Sequence, residues 1–225
     1  MKISSFTRTE FLIWISSVSI IMLSFCLFGR ESFLTLIASL IGTTSLIFCA
    51  KGNPIGQLLM IIFSAIYGVI SFGFSYYGEM ITYLGMTAPM ALISLVSWIK
   101  NPFRSDRSEV RVNTIKYTET AFMLIVTAAV TFIFYHILRY FHTANLIPST
   151  VSVATSFAAA YLTFRRSAFF ALIYAANDVV LIILWTMAAV KDISYLSVVI
   201  CFVIFLLNDI YGFISWQKMK KRQNK

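Results

Sequence analysis

The sequence is short of charge, histidine and cysteine. Only 12% of its 225 residues are charged, about half the share usual in a soluble domain, while 59% are hydrophobic and the mean hydropathy is +0.84. A soluble globular fold is excluded. The two histidines, His136 and His142, belong to no His-Glu-x-x-His motif, and there is neither a Gly-x-Ser-x-Gly elbow nor a Gly-rich loop ending in Gly-Lys-Ser/Thr. These absences exclude zinc-protease, serine-hydrolase and nucleotide-driven motor chemistry. Cys26, Cys49 and Cys201 all lie inside apolar runs, so they read as small core residues and predict neither a disulfide framework nor a metal site.

What the chain has is apolar runs long enough to cross a bilayer. At roughly 20 residues per crossing, runs near 11–28, 33–50, 55–74, 80–98, 120–138, 149–164, 168–190 and 193–216 predict eight transmembrane helices in an all-α integral membrane protein. The breaks hold turn formers and charge: Gly29-Arg30-Glu31, Lys51-Gly52-Asn53-Pro54, Tyr77-Gly78-Glu79, a polar loop from Lys100 to Tyr117, Arg139 to Pro148, Arg165-Arg166 and Lys191-Asp192. If eight spans alternate, one side collects 15 of the 18 Lys and Arg, and the other only Arg30, Arg139 and Lys191. Basic loops stay in the cytoplasm, so a multi-pass cell-membrane protein with both termini cytoplasmic is expected. The net charge of +9 then reflects topology and contact with anionic lipid rather than nucleic acid.

Two stretches end alike, Ser97-Trp98-Ile99-Lys100 and Ser215-Trp216-Gln217-Lys218. Spans two to four and six to eight therefore read as two copies of one unit. Three helices invert the chain, so a linking helix is needed to start the second copy in the same direction, and span five supplies it. The expected layout is an N-terminal accessory helix (1–32), a first three-helix bundle (33–98), a basic cytoplasmic loop and linking helix (99–148), a second parallel three-helix bundle (149–217) and a basic cytoplasmic tail (218–225). Parallel repeats of this kind, as in sugar-transporting SWEET proteins, hold ligands near the midplane. Trp14, Trp98 and Trp216 lie near span ends and read as interface anchors.

Ionisable groups at mid-membrane cost several kcal/mol and are functional candidates. Asp178, beside Asn177, lies about 18 Å from the Arg166 end of its span, and Asp209, beside Asn208, about 14 Å from Lys218, at 1.5 Å per residue. Gln57, Ser64, Tyr67, Tyr83 and Thr87 reach comparable depths in the first unit, and Tyr174, Trp185 and Tyr211 in the second; Pro89 frees a backbone carbonyl in the fourth span. Amide and carboxylate groups beside aromatic faces suit a flat heteroaromatic ring bearing a polar sugar, hence a nucleoside or vitamin. The candidate substrate-binding residues are Asn177, Asp178, Asn208, Tyr211, Gln57, Tyr67, Tyr174, Trp185 and Thr87; no catalytic or metal residue is expected.

The run Tyr76-Tyr77-Gly78-Glu79-Met80 through Tyr83 and Pro89-Met90 to Trp98, then Asn101-Pro102-Phe103, Asn177-Asp178-Val179-Val180 and Asn208-Asp209-Ile210-Tyr211-Gly212, resembles the PnuC family of nicotinamide riboside transporters over roughly residues 33–218. The resemblance implies facilitated diffusion, trapping of the imported nucleoside by cytosolic phosphorylation, no bound cofactor and a homotrimer. It also implies that Asn177, Asn208 and Tyr211 contact substrate. Many members carry tryptophans one or two turns before the matching Asn, where this chain has Phe170 and Ile173, so ring stacking passes to Tyr174, Tyr211 or Trp185. Relatives carrying thiamine, riboflavin or deoxyribonucleosides give the alternative cargo. An intramembrane aspartyl protease would need Gly-x-Gly-Asp and Tyr-Asp motifs, yet both aspartates follow Asn; a channel would need an oligomeric ring of like residues.

Overall fold

A bilayer offers the backbone no hydrogen-bond partners, so each apolar run must close its own bonds as a helix. The computed structural model describes residues 6–28, 33–73, 77–103, 108–143 and 145–225, and the chain folds accordingly. Arg30, Phe74, Tyr76, Arg104 and Arg107 lie outside the described residues. The helices are α1 (Arg8–Phe28), α2 (Phe33–Ala50), α3 (Ile55–Gly73), α4 (Tyr77–Thr82), α5 (Ala88–Lys100), α6 (Tyr117–Tyr140), α7 (Leu146–Phe164), α8 (Phe170–Ala189) and α9 (Leu196–Gln223). Because α4 runs into α5 through a widened π turn at Tyr83–Thr87, eight helical stretches among the described residues are long and apolar enough to cross a membrane.

Local chemistry sets several of these boundaries. Thr7 and Glu10 form a reciprocal cap at the start of α1: Glu10 N–H donates to Thr7 Oγ1 (3.2 Å) and Thr7 N–H to Glu10 Oε2 (2.7 Å). Pro89, one or two positions inside α5, has no N–H and its ring crowds the carbonyl four residues back. The π turn just before it gives that carbonyl room, and Thr87 Oγ1 donates to the Thr82 carbonyl at 3.2 Å. At the α2–α3 break Gly52 has φ +66°, a conformation that a side chain strains.

α2 and α3 pack as neighbours, α3 against α5, α7 against α8 and α8 against α9; α6 lies mainly on α7, and α1 rests on α2 and α9. The two candidate units are sewn together at one end. Trp98 and Trp216, expected at a lipid interface, are fully buried there with ring centroids 5.4 Å apart. Trp98 Nε1 donates to the Thr163 carbonyl at the end of α7 (2.9 Å), and Trp216 Nε1 donates to the Cys49 carbonyl at the end of α2 (2.8 Å). Each tryptophan thus reaches across to the opposite unit.

The basic loop after α5 covers this end. Val110 N–H bonds to the Gly52 carbonyl and Asn113 N–H to the Arg166 carbonyl, both at 2.9 Å. The basic tail is helical to Gln223 and docks on the same loop: Arg222 pairs with Glu109, and Gln223 Nε2 donates to Glu109 (2.8 Å) and to the Val110 carbonyl (3.0 Å). That cover takes the place of the lipid headgroups that the two tryptophans would otherwise meet. Cys49 and Cys201 are buried as expected, whereas Cys26 is exposed on the accessory helix.

Candidate functional site

Between the helices lies a cavity of about 100 Å³, walled by α2, α3, α4, the π turn, the end of α6, α7, α8 and α9. Its wall on α4 and the π turn is Gly78, Glu79, Thr82, Tyr83 and Thr87; on α7 it includes Ser149, Ser152 and Ser156; on α8 Tyr174, Asn177 and Asp178; on α9 Phe202, Phe205 and Asp209. Spacings of three and four place each set on one helical face. The wall extends from Gly78, Thr143 and Ser149 at one end of the helices to Ala160, Tyr174 and Asp209. Below these, the space is filled by Phe170, Trp98 and Trp216.

Asn177 is held by its oxygen. Oδ1 accepts from Ser152 Oγ (3.1 Å) and Thr155 Oγ1 (2.8 Å), so its amide nitrogen is left to donate into the cavity. Asp178 and Asp209 project from adjacent helices with their carboxyl groups in hydrogen-bonding reach of each other. Both side chains are buried, and Asp178 Oδ2 meets no donor among the described residues. Tyr83 lies within electrostatic range of both Glu79 and Asp178. No Lys, Arg or His joins this wall among the described residues.

Four of the nine candidates, Asn177, Asp178, Tyr174 and Thr87, meet at the cavity; the other five do not line it. Asn208 turns toward α1, donating to Ser17 Oγ (3.0 Å) and to the Ile204 carbonyl (2.8 Å). Gln57 is buried near the tryptophan end, donating to Cys49 Sγ at 3.3 Å. Tyr67 stacks behind Tyr83, centroids 4.6 Å apart, beside a smaller pocket against α1. Trp185 packs on Tyr195 at 5.5 Å, and Tyr211 is half-buried away from the wall. Asp209, a functional candidate by depth but outside the nine, lines the cavity, and its neighbour Asn208 does not: one residue turns a helix by about 100°, so neighbours face different ways. Glu79, read as part of a turn, and Ser149, Ser152 and Ser156 were not among the candidates. The 3-and-4 spacing of those serines was the available signal.

Eight apolar spans among the described residues, enclosing a cavity whose lining carries carboxyl, amide, hydroxyl and aromatic side chains, define a multi-pass membrane protein with an interior small-molecule site. The chain belongs to the family described as nicotinamide mononucleotide transporter, whose family model matches residues 32–218. It is 26% identical over 201 residues to the nicotinamide riboside transporter PnuC of Neisseria mucosa, spanning 88% of this chain and 76% of that protein. To the nicotinamide riboside transporter PnuC of Haemophilus influenzae it is 25% identical over 197 residues, 86% of this chain and 83% of that one. The crystal structure of the vitamin B3 transporter PnuC shares the fold, with a TM-score of 0.82 at 22% identity over 97% of this chain and 94% of that one. These relatives are transporters, not enzymes.

Proposed function

We propose that this protein carries nicotinamide riboside across the cell membrane by facilitated diffusion. The observation that carries the reading is the cavity itself, where the donor face of Asn177 stands beside carboxylates and the rings of Tyr83 and Tyr174. Amide and carboxylate groups suit ribose hydroxyls, and the rings suit a flat base. Two relatives matched over 76% and 83% of their length bear the name of nicotinamide riboside transporters, which supports the same cargo. The bias of Lys and Arg supports cytoplasmic termini, and with them the tryptophan end inside and the Gly78 and Thr143 end outside. Rocking of residues 33–98 against 149–217, with residues 99–148 as loop and link and 1–32 as accessory helix, opens the inner end. Cytosolic phosphorylation retains the product, and the carrier works as a homotrimer.

Uptake into proteoliposomes tests this. Saturable entry of labelled nicotinamide riboside, without an imposed ion gradient and weakened by Asn177→Ala, is the expected result. Transport of only thiamine, riboflavin or a deoxyribonucleoside would keep the carrier and overturn the cargo; non-saturable flux would indicate a channel. Crosslinking in native membranes reads the oligomer.

A further inference from the structure

Resting on that reading of the cargo, we infer that Asp178 and Asp209 form a counter-ion site that makes the cavity selective for a ligand with a permanently cationic ring, so that a neutral ring of the same shape is rejected.

The argument begins with what polar groups do elsewhere in this molecule. Asn208, the immediate neighbour of Asp209, donates its amide nitrogen to Ser17 and to the Ile204 carbonyl, while its Oδ1 meets no donor among the described residues. Asn177 has its oxygen held by Ser152 and Thr155. Asp178 is the ionisable member of the set: it is 4% exposed, its Oδ2 faces no donor among the described residues, and the group in its reach is another carboxyl, that of Asp209. Two carboxyl groups in reach of each other can share one proton, which leaves the pair a single negative charge. No cationic side chain lines the cavity among the described residues, so a counter-ion for that charge has to come with the ligand.

Glu79 adds a third carboxyl group from α4, with Tyr83 and Tyr174 on the same lining. A cationic ring seated there is attracted by the carboxylates and by the π faces at once. A neutral ring leaves the charge of the carboxyl pair without a counter-ion and gains neither interaction. Selectivity thus comes from what the wrong ligand leaves unsatisfied as well as from what the right one gains.

Nicotinamide riboside and its reduced dihydro form make the decisive pair. They share sugar, carboxamide and ring size, and differ in that the oxidised pyridinium is cationic and the dihydropyridine neutral. Binding of both to the detergent-purified full chain is measured by titration calorimetry. The expected result is at least tenfold tighter binding of the cation, with that preference collapsing toward unity in Asp178→Asn and Asp209→Asn, which keep side-chain shape while removing charge. Equal affinity of the two forms for the unaltered protein, which needs no variant to fold, would overturn the inference while leaving the cargo intact. Retention of the preference in both folded variants would overturn it too. If neither form binds, the cargo reading fails, and the inference is judged on thiamine against its neutral 3-deaza analogue. There a tenfold preference for thiamine upholds it, and equal binding, or none, refutes it.

Discussion

In the proposed rocking, the reciprocal tryptophan bonds set how readily the tryptophan end opens, and that equilibrium can be read from one thiol. Trp216 donates to the Cys49 carbonyl and Trp98 to the Thr163 carbonyl. Each carbonyl also accepts a backbone N–H, from Gly52 (2.9 Å) and Arg166 (3.0 Å) respectively. Replacing either tryptophan by phenylalanine therefore removes a bond without orphaning the acceptor, so the net loss is the ordinary one of about 1 kcal/mol. That is about a fivefold rise in the open population; the smaller ring also gives up packing, so fivefold is a floor. If both bonds break in the same opening, the double variant rises about 25-fold, subject to coupling between rings in contact. Cys49 is buried beside this seam and reacts with a permeant maleimide only while the end is open. In a Cys26→Ser, Cys201→Ala background, we predict labelling of Cys49 about five times faster in Trp98→Phe, although Trp98 touches the other carbonyl. Labelling within twofold of the parent in Trp98→Phe, at unchanged melting temperature, would refute the shared opening.

Asn177→Ala removes the amide donor and frees Ser152 and Thr155 from their shared acceptor; at one hydrogen bond lost to substrate, KM for uptake should rise about tenfold, which initial-rate transport checks. Glu10 and Lys51 form a buried pair at 3.0 Å between the accessory helix and the α2–α3 break. Glu10→Gln should lower stability by roughly 2–3 kcal/mol, allowing for the nearby membrane surface, and the Glu10→Gln, Lys51→Met double variant should recover part of it; thermal melts in detergent decide, and a strictly additive double would count against the pair. A Cβ at Gly56 would stand 2.6 Å from the Cys49 backbone nitrogen, whereas one at Gly68 would meet only the side chain of Leu84. Gly56→Ala should therefore sharply reduce the monodisperse yield in size-exclusion chromatography and Gly68→Ala should not, because a side chain can turn away and a backbone cannot.

The eight spans were legible because apolar length and the charges at the breaks are properties of the chain alone. The burial of Trp98 and Trp216 was not. A tryptophan near a span end ordinarily meets the headgroups, and only the docking of Val110, Asn113 and Gln223 over this end turns it into core. At the cavity, Asn177 and Asp178 stood out because carboxylates are scarce at that depth. Asn208 could not be separated from Asp209 by depth, since both sit at the same level and differ only in rotation about α9. The serines of α7 became visible as a stripe once their helix had a fixed face, which packing against α8 supplies. Gln57, Tyr67 and Trp185 had suitable depth, but depth carries no information about which neighbour a side chain meets.

The crossed tryptophan bonds are the contact pattern of a symmetric dimer, in which residue i of one copy meets residue j of the other and the reverse. Here both partners are carried on one chain. Counting fifteen residues on from the two acceptor carbonyls gives Ser64 and Asp178, and counting seven back from the two tryptophans gives Ala91 and Asp209. The seam is duplicated while the carboxylates are not. Two identical subunits would have been obliged to place four acids around the axis; a single continuous chain keeps the paired tryptophan seam and holds both acids on one side.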